Sequence, residues 1–279
     1  RRELLQAVRL LADWGDPAEA EQLRQLLQPA LPSDPLLRRQ VKQPAPAFVF
    51  SPAAELQGLF EPQQIIVLPV LFFGRGCQQI EPLISLLQQL GRQGLYNGTG
   101  TFELEGVESE DAAGVRMMHW SGGRQVPFSA PVSDLSWLLE RQQWDCDSLT
   151  LDVVSPLRLL RKKKPLFKVS FDDFLPYLLR RVFALLACHA EVEVCDDQQF
   201  YLQQGQKIEV VSNSLKWHDW RKLQGEREQD LGGVLGRLQL SGAGLDELFW
   251  LLQLGCLFNI GKGAAYGAGQ YRLQTHCKD

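Results

Sequence analysis

The chain has 279 residues, 45% of them hydrophobic and 22% charged, and a net charge of −4. That composition excludes a disordered polymer and suits one large domain or two ordinary ones. No apolar run reaches bilayer length and the amino end is polar, so a soluble, cytoplasmic protein with no membrane partner is expected.

In chain order, "RRELLQAVRLLADW" (1–14) has helical spacing, and "PALPSDP" (29–35) and "KQPAPA" (42–47) are proline-rich connectors. "AFVFSP" (47–52) and "IIVLPVLFF" (65–73) read as strands, and "QIEPLISLLQQLG" (79–91) as a helix. "RQGLYNGTGTFELEGVE" (92–108) reads as a glycine-rich turn and a strand. "GVRMMHW" (114–120) predicts an extra strand and "DLSWLLERQQW" (134–144) a short helix.

The second half follows one pattern. "LTLDVVSPLRLL" (149–160) is a strand, and "SFDDFLPYLLRRVFALLACHA" (170–190) a helix with Ser170 as its cap and Pro176 in its early turns. "KIEVVSNSLKWHDW" (207–220) and "GGVLGRLQLSG" (232–242) alternate as strands, "LDELFWLLQLGCLF" (245–258) is an apolar core helix, and "GQYRLQT" (269–275) closes the chain as a strand. The order is β-α-β-β-α-β, the ferredoxin-like unit. "GTGTFEL" (98–104) resembles "GAGQYRL" (267–273), and each follows a leucine-rich helix, which points to an internal duplication. The expected fold is α+β, with tandem ferredoxin-like domains and a C-terminal glycine-rich loop. Residues 1–108 form the first domain, with its first strand expected upstream of Arg1. Residues 109–148 connect it to the second, 149–279.

The loop "NIGKGAAYGAGQYRL" (259–273) holds four glycines and a lysine. It fits neither GxxxxGK[ST] nor the dinucleotide fingerprint, because it leads into a strand and no helix N-terminus follows. A loop lying along a polymer backbone would use close backbone approach, amide donors and Lys262 together. Charge is uneven in the same sense: residues 1–150 hold 12 basic against 18 acidic groups, and residues 151–279 hold 17 against 15. The six cysteines contain no CxxC pair and read as small core residues in a reducing compartment.

Residues 219–273, with Gly232-Gly233-x-x-Gly236, the leucine-rich helix and the closing Gly-Lys-Gly…Gly-x-Gly, resemble the end of the CRISPR-associated repeat-processing endoribonucleases of the RAMP superfamily. "SPLRLL" (155–160) and residues 48–76 resemble other parts of that family. The resemblance implies tandem ferredoxin-like domains, CRISPR repeat RNA or mature crRNA as partner, other effector-complex subunits as further partners, and no cofactor or metal. It also implies cleavage by the RNA's own 2′-hydroxyl, leaving a 2′,3′-cyclic phosphate. The alternatives are a non-catalytic RAMP subunit that binds guide RNA and a protein scaffold without RNA.

In that family a histidine near the first helix commonly acts, but here no histidine precedes His119, and Asn259 stands where relatives often carry one. The candidate catalytic residues are His218, in "LKWHDWRK", and His119. The candidate RNA contacts are Gly261, Lys262, Gly263, Gly267 and Gly269 in the loop, and Lys216, Arg221, Lys222 and Arg227 around the tryptophans. Arg158, Lys162, Lys163 and Lys164 of the basic run complete them.

Overall fold

Ser170 and Asp173 start the longest polar-capped helix by satisfying each other. The Asp173 amide donates to Ser170 Oγ (3.2 Å), and the Ser170 amide donates to the Asp173 carboxylate (3.2 Å). In the computed structural model, the described residues are 4–9, 17–41, 44–52, 60–95, 98, 100–111, 113–121, 124–125, 131–134, 136, 146–190, 198–219, 221–222, 229–230 and 232–277. The chain divides into two units: residues 1–30 with 73–143, and residues 31–72 with 144–279.

In the first unit, residues 4–9 are helical and Pro17–Leu27 packs on Ile80–Gln93. Leu23 and Leu27 on one helix, and Leu83, Leu86 and Leu90 on the other, recur at helical spacing and are buried. Gly106–Glu110, Arg116–Ser121 and Arg124–Gln125 form a three-stranded antiparallel sheet. Of the glycine-rich turn and strand expected over 92–108, the strand pairs only from Gly106 onward. The Phe102 amide donates to the carbonyl of Gly91 (3.2 Å), so this backbone lies against the helix and pairing begins only at Gly106. Most of the expected 134–144 helix lies outside the described residues.

In the second unit, β1 (Ser148–Leu157), α1 (Phe171–Leu185), β2 (Glu209–Asn213), β3 (Lys216–His218), β4 (Gly233–Ser241), α2 (Gly244–Phe258) and β5 (Tyr271–His276) follow the ferredoxin-like order. The sheet is antiparallel, with β1 between β4 and β5, and with β2 and β3 together forming the far edge along β4. The predicted 207–220 strand is broken between β2 and β3. Opposite the break Gly236 takes φ 120°, where a Cβ would lie 2.6 Å from the Ser214 carbonyl. Leu149, Leu151, Val153, Val234, Leu238 and Leu240 alternate inward under Phe174, Leu178, Val182, Leu248 and Leu252, all buried. Each such side chain contributes roughly 1.5–3 kcal/mol by leaving water.

Two further strands, Phe48–Phe50 and Val70–Phe72, pair in this second unit. The predicted 65–73 strand is thus paired only over its last residues, and Ile65 to Leu68 are exposed. Cys146 and Cys277 correct the expectation of six unpaired cysteines. The β1–β5 register sets Ser148 opposite His276, which brings the two flanking cysteines together as a disulfide. Cys188 is buried as expected, while Cys77 and Cys256 are half-buried.

Candidate nucleic-acid interface

The end of β1 organises the cationic residues of the second unit. Beyond Leu157 the chain makes a small hairpin, in which Leu160–Arg161 pairs with Lys164–Pro165. Its two turn residues, Lys162 and Lys163, take φ values of 51° and 66°. Two left-handed residues in a two-residue turn define type I′, which Asn-Gly fits best and lysine fits poorly. The hairpin stands on α1: Tyr177 Oη donates to the Leu160 carbonyl (2.7 Å), and Arg161 pairs with Asp173. Arg180 lies over the Tyr177 ring, 4.5 Å from its centroid. Arg161, Lys162, Lys163 and Lys164 all project into solvent.

The glycine loop lies on the other side of the β1 end. The Lys262 amide donates to the Arg158 carbonyl (2.9 Å), and the Gly269 amide to the Pro156 carbonyl (3.1 Å). Gly261, Gly263, Gly267 and Gly269 all have φ between 68° and 91°. At Gly261 a Cβ would lie 2.7 Å from the Arg158 carbonyl, and at Gly267 2.7 Å from Pro52; at Gly269 it would overlap the Ile260 carbonyl. Packing therefore explains the glycines. Most loop amides bond within the protein: those of Ile260, Lys262, Ala264, Tyr266, Gly267, Ala268 and Gly269 reach carbonyls, and that of Gln270 reaches Ser155 Oγ. Among the described residues, the amides of Gly261 and Gly263, on either side of the exposed Lys262, reach no backbone acceptor.

Asn259 is fully buried at the head of the loop, with Nδ2 donating to the Ala264 carbonyl (3.2 Å). Arg181 donates from Nε and Nη2 to the Phe258 carbonyl, the last of α2, and burial pulls its pKa down to about 10.

His218 is exposed at the end of β3, opposite Gly233, which lies against Pro156 and Leu157. Order across this end of the sheet is thus His218, Gly233, Leu157–Arg158, Lys262. At about 4.8 Å per strand, His218 and Lys262 stand too far apart to grip one phosphate. Lys216 is also exposed. Among the described residues, none of Lys162, Lys163, Lys164, Lys216 and Lys262 pairs with a carboxylate. Arg221 and Lys222 lie in a short strand paired with Gln229–Asp230, and Arg227 is outside the described residues. Arg158 is half-buried.

The other histidines differ. His119 is 2% exposed, in the first unit's sheet, with Nε2 2.7 Å from Ser109 Oγ. His189 is buried and donates from Nε2 to the Ala45 carbonyl (2.7 Å). His276 Nε2 lies 2.8 Å from Thr150 Oγ1. The exposed aromatic Phe167 escaped sequence reasoning; its only signal there was its place between Lys164 and Lys168. No helix among the described residues is long and apolar enough to cross a membrane, and no group of three or more His, Cys, Asp or Glu among them could hold a metal ion.

A ferredoxin-like sheet carrying a cationic hairpin and a glycine-built loop at one strand end defines an α+β protein with exposed positive charge gathered at that end. Residues 151–271 match the family model described as CRISPR-associated endoribonuclease Cas6, and residues 19–129 match a model described as an N-terminal domain. Over that carboxyl-terminal part, the chain is similar to the Cas6 CRISPR-associated endoribonucleases. Among solved structures, a Cas6 product complex from Thermus thermophilus aligns over 98% of this chain and 93% of its own, at 15% identity and a TM-score of 0.54. A partial Cas6-RT-Cas1–Cas2 complex aligns over 82% of this chain and 38% of its own, also at 15% identity and a TM-score of 0.54. These likenesses establish the shared fold of tandem ferredoxin-like domains. No curated protein sequence matches the chain.

Proposed function

We propose that this protein binds CRISPR repeat RNA and cleaves it within the repeat, using the RNA's own 2′-hydroxyl as nucleophile and no metal ion. The observation that carries the reading is the set of exposed lysines without carboxylate partners around the β1 end of a domain similar to Cas6: Lys162, Lys163 and Lys164 on one side and Lys262 on the other. Such charge gathers phosphates whatever the base sequence. The open Gly261 and Gly263 amides add donors to one phosphate beside Lys262.

The reaction moves two protons. A base takes the 2′-hydroxyl proton as the oxygen attacks the neighbouring phosphorus. The P–O bond to the next nucleotide breaks, and an acid supplies the proton that makes its 5′-hydroxyl. Positive charge steadies the phosphorane between them. Among the candidate histidines, His218 is exposed at the end of the strand that carries Lys216, whereas His119 is buried, so His218 takes the proton-transfer role. The solved Cas6 product complex and the Cas6-RT-Cas1–Cas2 assembly support RNA and other CRISPR proteins as partners.

The test incubates the protein with its cognate repeat RNA in EDTA, beside repeats carrying single 2′-deoxy substitutions. A cut in EDTA that one deoxy position abolishes supports the mechanism and locates the scissile phosphate. RNA that is bound and left whole assigns the surface to guide-RNA binding alone.

A further inference from the structure

Phe167 is 59% exposed, and its ring centroid lies 4.7 Å from that of Trp217, with the planes at 61°. Both rings are held. Trp217 lies over Gly232, where a Cβ would sit 2.7 Å from the indole, and its Nε1 donates to Asp219 (2.6 Å). Phe167 is pinned from both sides: the Leu166 amide donates to the Leu159 carbonyl (3.0 Å), and Asn213 Nδ2 donates to the Val169 carbonyl (3.0 Å). The ring is therefore presented to solvent by a fixed backbone. Lys164 and Lys168 flank it in the chain, and both are exposed.

Resting on that RNA reading, we propose that Phe167 and Trp217 form a stacking platform for one unpaired nucleobase, with the adjoining phosphates on Lys164 and Lys168. Protein interfaces bury aromatics but are depleted of lysine. Single-stranded nucleic acid offers what this surface offers in return, flat π faces alternating with anions. A base inside a duplex has both faces already stacked, so the platform selects an unpaired nucleotide and sets which part of the RNA lies over the hairpin.

The test compares the full chain with Phe167→Leu, Phe167→Tyr and Lys164→Ala. The probes are a short single-stranded RNA carrying 2-aminopurine and a blunt RNA duplex of the same sequence, titrated at several salt concentrations. Phe167→Leu keeps an apolar contact to Trp217 and removes the π face. It is expected to weaken single-strand binding about tenfold, leave the salt slope and duplex binding unchanged, and abolish 2-aminopurine quenching. Phe167→Tyr retains both affinity and quenching, while Lys164→Ala lowers the salt slope. Equal single-strand affinity of Phe167→Leu and the unmodified chain, or equal loss on both probes, overturns the platform with RNA binding intact. Failure of the unmodified chain to bind either probe removes the RNA reading itself.

Discussion

The amide of Lys262 donates to the carbonyl of Arg158 at 2.9 Å, so the loop's exposed lysine grows from a backbone fixed to the end of β1. That bond survives any side-chain change at 262. Lys262→Ala is expected to shift stability by less than about 0.5 kcal/mol and to reduce RNA affinity. The salt slope should fall by about 0.7 for one lost single-strand phosphate contact. Urea denaturation and anisotropy titrations at several potassium concentrations check both, and unchanged affinity would detach the loop from RNA binding.

Gly269 and Gly263 separate two costs. Gly269→Ala meets both a left-handed φ of 68° and the Ile260 carbonyl, whereas Gly263→Ala meets a φ of 87° and only the Ala268 methyl at 3.3 Å. The first should cost more than about 3 kcal/mol and the second about 1 kcal/mol. Denaturant midpoints of the two variants, measured side by side, decide it.

The lysine hairpin should trade stability for binding. Replacing the turn by Lys162→Asn with Lys163→Gly supplies the residues that its φ values of 51° and 66° favour. The double variant is expected to gain about 1 kcal/mol and to lose RNA affinity with a shallower salt dependence. A thermal melt with no gain would mean the turn is not strained by its lysines.

His218 carries the proton-transfer prediction. His218→Ala should lower single-turnover cleavage by about 100-fold or more while changing RNA affinity only a few-fold. His119→Ala, a buried site in the other unit, should cost stability rather than show this kinetic pattern. If His218→Ala cleaves at the normal rate, another group moves the proton.

Arg181 sets a pH expectation. Burial lowers its pKa to about 10, so the folded chain binds that proton less tightly than the unfolded chain does. The sign follows: the cost of burying the charge is fully present at neutral pH, and it is relieved only as pH rises through about 10. Between pH 6 and 9 Arg181→Met should therefore change stability by an amount independent of pH, the net of the two bonds lost at Phe258, about 1 kcal/mol each, and the burial cost relieved. A difference that varied across that range would assign the titration elsewhere.

The second unit was readable from its residues because its signals are local. Leu149, Leu151 and Val153 alternate, Ser170 precedes its acidic turn, and the Gly244–Phe258 segment is mostly apolar beyond its acidic first turn. Where the strand within 92–108 begins was not, because a non-local bond from Phe102 to Gly91 claims the backbone ahead of Gly106. The candidate surface was half readable. The basic run and Lys262 stand out by composition, but the aromatic platform does not, since nothing in a linear pattern sets Phe167 beside Trp217.

What the residues determined alone is the β-α-β-β-α-β order, the glycine loop before the last strand and the places where positive charge concentrates. Hydrophobic period, caps and composition act over a few residues and need no partner. Only the tertiary structure decided that the four loop glycines serve close approach and left-handed turns, that Cys146 meets Cys277 and that His119 is buried while His218 is exposed. Those outcomes depend on strand register and on contacts between residues as far apart in the chain as Pro52 and Gly267, which chain order does not encode locally.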